Sequence, residues 1–281
     1  MNERVKLKHE SEVAVALREQ LVSWGIKYAA WDLDGSLIDT QESFLNTIKF
    51  ISKVFSPADS QAASALIRSA ITGLRPVYEV HPAIMRESVR LAAKKFEVRE
   101  NDARFVLAMN RLNWLYNGEV PLVFPGAKKA VSLVDRAVEK SVIVSHAGLD
   151  WTKWKLTQVG LREFFGGVAT FPVLEPKADY FEKAFQSVGI GANQTHQVII
   201  FGDNFWADLL VPVGKLGCRG VWLNRQETEV LCLPDQELSK TNWQAIKERI
   251  LEVSDLRQVA TAILNPEDYS LKNIYFSSLA N

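Results

Sequence analysis

Tyr28-Ala29-Ala30-Trp31 runs directly into Asp32-Leu33-Asp34-Gly35-Ser36. Four apolar residues followed at once by a polar turn read as a buried strand that stops at a sheet edge, with two carboxylates and a hydroxyl just beyond it. Gly35 permits the tight turn that such a sequence needs. Ahead of this stretch, Val13, Leu17, Leu21 and Trp24 recur at helical spacing, and Gly25 stands where a helix would stop. Residues 1–27 are therefore expected to hold an N-terminal helix.

Downstream, from about residue 42 to residue 117, the helical step dominates. Phe44, Ile48, Ile51 and Phe55 keep it, as do Met85, Val89, Ala92 and Phe96, then Phe105, Met109, Leu112 and Tyr116. After Pro121 and Pro125-Gly126 the pattern alternates. A stripe of Ala127, Val131, Val134 and Val138 precedes a strand over Ser141–Ser145, and a helix near 150–160 precedes another over Gly167–Thr170. A helix over 179–187 then leads to strands at Val198–Phe201 and Gly220–Leu223. Short apolar runs separated by helices of about ten residues indicate a parallel sheet covered on both faces. The expected fold is α/β, a Rossmann-like parallel sheet with an all-helical insertion. Residues 28–40 and 122–281 make the core, and residues 41–121 the insertion. The stretch 226–254 is more polar and reads as a peripheral insertion before a last helix near Asp255–Leu264.

Composition narrows the classes. Of 281 residues, 47% are apolar and 23% charged, enough for a sizeable core and too ordered for whole-chain disorder. Lys plus Arg and Asp plus Glu each number 33, a balance that argues against a nucleic-acid binder. Cys218 and Cys232 are the only cysteines, so a disulfide framework and a four-cysteine zinc site are excluded. His9, His81, His146 and His196 show no ligand spacing. No apolar run approaches the ~20 residues of a membrane span, and the first ten residues carry charges of both signs rather than a secretory pattern. The expectation is a cytoplasmic protein with neither membrane nor nucleic acid as partner.

In open α/β sheets ligands sit beyond the carboxyl ends of the strands. Asp32, Asp34 and Ser36 follow the first strand, Ser145 closes the second with His146 behind it, and Gly202, Asp203 and Asp208 follow Val198–Phe201. Carboxylates brought together from such distant segments repel unless a cation neutralises them, and Mg²⁺ fits a site of carboxylates, backbone oxygens and water. A calcium loop does not fit. With Gly35 at its sixth position, Ala30 and Gln41 would stand at the first and twelfth. A carboxylate not spent on the metal is a candidate nucleophile, and Asp34, two residues on, is placed for proton transfer.

These segments also resemble a known family. Trp31-Asp-Leu-Asp-Gly-Ser-Leu-Ile-Asp-Thr40 is similar to the first motif of the haloacid dehalogenase-like superfamily, and Val142-Ile-Val-Ser145 to its second. Phe201-Gly-Asp-Asn-Phe-Trp-Ala-Asp208, with Gly217 and Val221–Arg225 after it, resembles the fourth. The resemblance implies that Asp32 attacks phosphorus and that Asp34 is the acid and base. Asp32, the carbonyl of Asp34, Asp203 and Asp208 would bind Mg²⁺, and Ser145 and the backbone N–H of His146 would hold phosphate. The family's lysine position is occupied by Glu175, so Lys177, two residues later, is expected to fill that role. The insertion resembles the family's helical cap. The implied activity is hydrolysis of a small phosphomonoester. A sugar-phosphate mutase uses the same motifs, and a non-catalytic binding or scaffold protein on the same fold is the opposing class.

Overall fold

The computed structural model describes residues 3–74, 81–171, 178–225, 230–231, 243–271 and 275–276. Along the chain, α1 (Glu3–Ser23) precedes β1 (Tyr28–Trp31), and the short β2 (Ile38–Asp39) leads into α2 (Gln41–Phe55), α3 (Ser60–Leu74), α4 (His81–Lys95) and α5 (Ala103–Asn117). The chain returns through β3 (Leu122–Val123) to α6 (Ala127–Ala137), β4 (Lys140–Ser145), α7 (Leu149–Gln158), β5 (Gly167–Thr170) and α8 (Ala178–Ser187). Then come β6 (Val198–Gly202), α9 (Val211–Leu216), β7 (Arg219–Leu223) and β8 (Val230–Leu231). The last elements are α10 (Trp243–Lys247), β9 (Ile250–Val253), α11 (Val259–Leu264) and β10 (Tyr275–Phe276).

Six strands form the main sheet in the order β5-β4-β1-β6-β7-β9, and every pairing is parallel. This is the Rossmann-like α/β architecture expected from the alternating pattern. The chain builds outward from β1 through β4 to β5, then returns to the other side of β1 for β6, β7 and β9. Its direction reverses at β1, which places the crevice of a doubly wound sheet at the carboxyl ends of β4, β1 and β6.

The short apolar runs are continuous because both faces of the sheet are covered. Ala29, Trp31, Ile143, Ile199, Phe201, Val221 and Leu223 point to one core, shared with Leu17 and Leu21 of α1, Val131 and Val134 of α6, and Ile263 of α11. Ala30, Val142, Val144, Ile200 and Trp222 point to the other, with Phe181 and Phe185 of α8 and Leu216 of α9. The N-terminal helix is thus one of the layers that close the sheet.

Ile250–Val253 departs from expectation. The polar stretch 226–254 was expected to lie outside the alternation, yet its end forms β9, paired in parallel with β7. Four residues following a polar segment carry too little pattern to announce an edge strand, and Glu252 interrupts them.

Helices α2 to α5 pack on one another around Ile48, Ile51, Phe55, Ile67, Met85, Val89, Phe105 and Leu112. Their two connections to the sheet run side by side as an antiparallel pair, Ile38 opposite Val123 and Asp39 opposite Leu122. Pairs this short leave no alternation to read. Among the described residues, no helix is long and apolar enough to cross a membrane.

Leu21 is fully buried, whereas its neighbour Val22 is 64% exposed. If α1 is part of the cooperative core, Leu21→Ala should cost about 2–5 kcal/mol. Val22→Ala should stay within about 0.5 kcal/mol. Denaturant midpoints of the two variants check this, and equal midpoints would detach α1 from the core.

Candidate active site

Asp32 emerges from β1 with its N–H donating to the Phe201 carbonyl at 2.8 Å, so the ends of β1 and β6 are tied together at the first candidate residue. The chain then folds tightly back. Leu37 and Ile38 N–H groups donate to the Leu33 carbonyl at 2.9 and 3.1 Å, and Gly35 N–H donates to Ile38 at 2.9 Å. Gly35 has φ +89°, and a Cβ there would lie 2.5 Å from a carboxylate oxygen of Asp203. Glycine is required twice over, for the backbone conformation and for the approach of that carboxylate.

Opposite this turn, β6 ends at Gly202. A Cβ at Gly202 would lie 2.3 Å from the Cβ of Asp208, so glycine lets the following π-helical turn, Phe205–Leu210, fold back over the strand end. Asn204 caps that turn by accepting from Ala207 N–H at 3.0 Å, and Asp208 accepts from Asn204 N–H at 3.0 Å. Ser36 donates its hydroxyl to Asp203 at 3.1 Å, joining the two loops.

One ligating oxygen from each of Asp32, Asp203 and Asp208 can be chosen so that all lie within 4.8 Å of one another. Burial, then the charges of Asp208, Asp203 and Asp34, push the Asp32 carboxyl well above its ordinary range. Burial and then Asp203 raise Asp208 in the same way, and burial raises Asp203. Three carboxylates, two of them buried, that resist ionising together are a hard-oxygen donor set, and a divalent cation such as Mg²⁺ removes the conflict. The residues present fit that ion.

Two strand-end residues complete the edge. Ser145 closes β4, is 1% exposed, and accepts from Ala147 N–H at 3.2 Å. His146 places Nε2 3.8 Å from an oxygen of Asp208 and packs edge-on against Phe171 at 4.5 Å between ring centroids. From the far side, Arg225 at the end of β7 donates to the carbonyls of Gly35 and Ser36 and lies 3.8 Å from the Phe124 ring centroid. Trp222 Nε1 donates to the Asp203 carbonyl at 2.9 Å. Trp222 of β7 and Arg225, two residues past its end, therefore hold the two acidic loops in register.

Lys177 lies outside the described residues. The lysine found beside the carboxylates is Lys155 of α7, 1% exposed, with Nζ 2.5 Å from both oxygens of Asp34. Burial pulls its ammonium below the ordinary value, and Asp34 opposes that shift. Sequence reasoning missed this residue because its partner is 121 positions away. A signal existed. Thr152, Lys155, Leu156 and Val159 follow the i, i+3, i+4, i+7 step of a buried stripe, with a lysine at a core position.

A family model described as haloacid dehalogenase-like hydrolase matches residues 26–211, well over half of the chain. Among solved structures, a haloacid dehalogenase-like family hydrolase from Xanthomonas campestris superposes with TM-score 0.66 at 14% identity, covering 86% of this chain and 93% of its own. The putative HAD-hydrolase YfnB from Bacillus subtilis, bound to magnesium, gives 0.59 at 16%, covering 85% and 98%. A HAD phosphatase from Thermococcus onnurineus gives 0.56 at 17%, also covering 85% and 98%. 2-Haloacid dehalogenases from Pseudomonas syringae and Xanthobacter autotrophicus share the fold as well. At these identities the likeness is one of fold. Among curated proteins no sequence matches this one.

A carboxyl that holds its proton more tightly when folded stabilises the fold while protonated, and that contribution is lost as pH rises through its raised value. A cation replaces the lost protons, so binding strengthens with pH. The rise in thermal midpoint on adding Mg²⁺ to chelator-treated protein should therefore grow from mildly acidic to neutral pH. Asp203→Asn should remove most of it. A midpoint indifferent to Mg²⁺ across that range contradicts the cation site.

Proposed function

We propose that this chain, which belongs to the haloacid dehalogenase-like hydrolase family, is a Mg²⁺-dependent hydrolase of small phosphomonoesters. The observation that carries the reading is Asp34. A carboxylate stands two residues beyond the nucleophile position, on the same turn, and a buried lysine holds both its oxygens. Carbon–halogen cleavage has no use for an acid at that place, since a halide leaves without a proton. An alcohol leaving from phosphorus needs one.

In this reading Asp32 attacks phosphorus in line with the ester oxygen, forming an aspartyl-phosphate. Asp34 protonates the departing alcohol, then takes a proton from the water that hydrolyses the intermediate. Ser145 Oγ and the backbone N–H of His146 hold a phosphate oxygen. Asp32, the Asp34 carbonyl, Asp203 and Asp208 would hold Mg²⁺, whose chemistry is neutralisation of the carboxylate and phosphate charges. Lys177 is the proposed additional cation for the phosphate. Helices α2 to α5 serve as a cap that excludes water above the strand ends. The balanced charge of the chain suits a small metabolite in the cytoplasm better than a nucleic acid or a membrane surface.

The test is phosphate release from an aryl phosphate. Release should require Mg²⁺ and vanish in Asp32→Asn; equal background rates for wild type and variant would favour a non-catalytic scaffold. A bisphosphate requirement with phosphate retained on a sugar would mark a mutase instead. Lys177→Ala should lower turnover on the order of a hundredfold, by analogy with removal of an electrostatic donor. A change under threefold would take Lys177 out of the site.

A further inference from the structure

Helix α7 follows β4 after the short link of residues 146–148 and carries Trp151 and Lys155 four residues apart, on one face and one turn from each other. Each is engaged at both ends. Lys155 Nζ sits 3.7 Å from the centroid of the Trp151 ring while it contacts both oxygens of Asp34. Trp151 in turn meets Phe44 of α2 edge-on at 6.0 Å and Tyr116 of α5 at 5.0 Å, and those two rings meet each other at 6.2 Å. Phe44 lies in the first turn of the first helix of the insertion, and Tyr116 in the last turn of its last helix. Both stand close to the paired connections at β2 and β3.

A continuous series of contacts thus runs from the inserted helices to the carboxylate: Phe44 and Tyr116, Trp151, Lys155, Asp34. A desolvated ammonium tolerates few positions. It needs the carboxylate on one side, and the ring face on the other fixes where it can stand. Displacing the ring therefore displaces the ammonium, and with it Asp34. The lysine grips Asp34 rather than Asp32, so its influence falls on the acid and not on the nucleophile.

We propose that Trp151 and Lys155 are positioning residues that aim Asp34 at the leaving oxygen, and that they do so when Phe44 and Tyr116 seat against Trp151. The inference rests on the phosphomonoesterase reading and adds to it a link between the seating of the helices and protonation of the leaving group. A phosphate ester of an unactivated alcohol depends on that proton. An ester of a nitrophenol barely does, because nitrophenolate leaves unaided. Misaiming Asp34 must therefore penalise alkyl esters selectively.

The experiment compares kcat/KM for glycerol 2-phosphate and p-nitrophenyl phosphate in the full-length protein with Mg²⁺. This ratio covers only the steps up to departure of the alcohol, so the second role of Asp34 does not enter. Asp34→Asn sets the selectivity expected when the acid is lost. Trp151→Ala and Lys155→Met should lower kcat/KM for the alkyl ester at least tenfold more than for the aryl ester. Phe44→Ala should move the same way by a smaller factor, and Lys155→Arg should recover part of the loss. Inhibition by inorganic phosphate should change less than threefold. If Trp151→Ala fails to fold, Trp151→Phe and Phe44→Ala carry the comparison. An equal fall on both esters overturns the proposal, and weakened phosphate inhibition beside it would make Lys155 a phosphate ligand. Wild-type protein inactive on both esters would instead overturn the phosphomonoesterase reading, and this inference with it.

Discussion

Acidic groups crowded at a buried strand end repel one another, and that repulsion organises this edge of the sheet. Asp32 and Asp208 are buried, and each raises the proton affinity of the site through burial first and like charge second. A fold keeps such groups together only if the backbone leaves them nowhere else to go. Parallel pairing of β1 with β4 and β6 fixes the strand ends. Glycines at 35 and 202 then let carboxylates approach where a Cβ would collide with them. The mutual strain is held by covalent connectivity and hydrogen bonds from neutral donors, such as Ser36 to Asp203 and Trp222 to the Asp203 carbonyl. It is poised to be relieved by a cation.

Much of this was legible because it is local. Tyr28–Trp31 followed by Asp32 announces a strand end, and apolar runs of four to five residues separated by helices announce a two-faced parallel sheet. What was not legible is long-range or very short. Lys155 reads as an ordinary charged residue in a helix until Asp34 is placed beside it, and Arg225 acquires its role only when the 35–36 turn arrives across the sheet. The pairs at Ile38–Asp39 and Leu122–Val123 have two residues each, too few for any period to show. Ile250–Val253 was hidden by its polar surroundings. Its membership of the sheet is decided by β7, which needed a neighbour on its open side.

The two faces of the sheet are closed by different helices. One is closed by α1, α6 and α11 around Trp31 and Phe201, whose rings stack at 3.8 Å directly beneath the carboxylates. That stack is a rigid floor, because both rings are fully buried and belong to adjacent strands. Helix α7 packs against this same core, and its two ends of attachment differ in kind. Leu156 anchors it in the sheet core, and Trp151 anchors it among the inserted helices. A helix gripped by both bodies transmits their relative position better than a loop would.

Charge balance limits what else the site must contain. Four carboxylates, Asp32, Asp34, Asp203 and Asp208, face two cationic side chains, Lys155 and Arg225, among the described residues. A single divalent cation closes that difference and leaves nothing over for a phosphate dianion. Lys155 cannot supply the deficit while both Asp34 oxygens hold it. In the proposed reading, a phosphate would draw on neutral donors at Ser145 and the start of α7, on the helix dipole there, or on a further cation. That deficit is the physical reason for assigning a second lysine to the site, and Lys177, next to the start of α8, is the residue proposed for it.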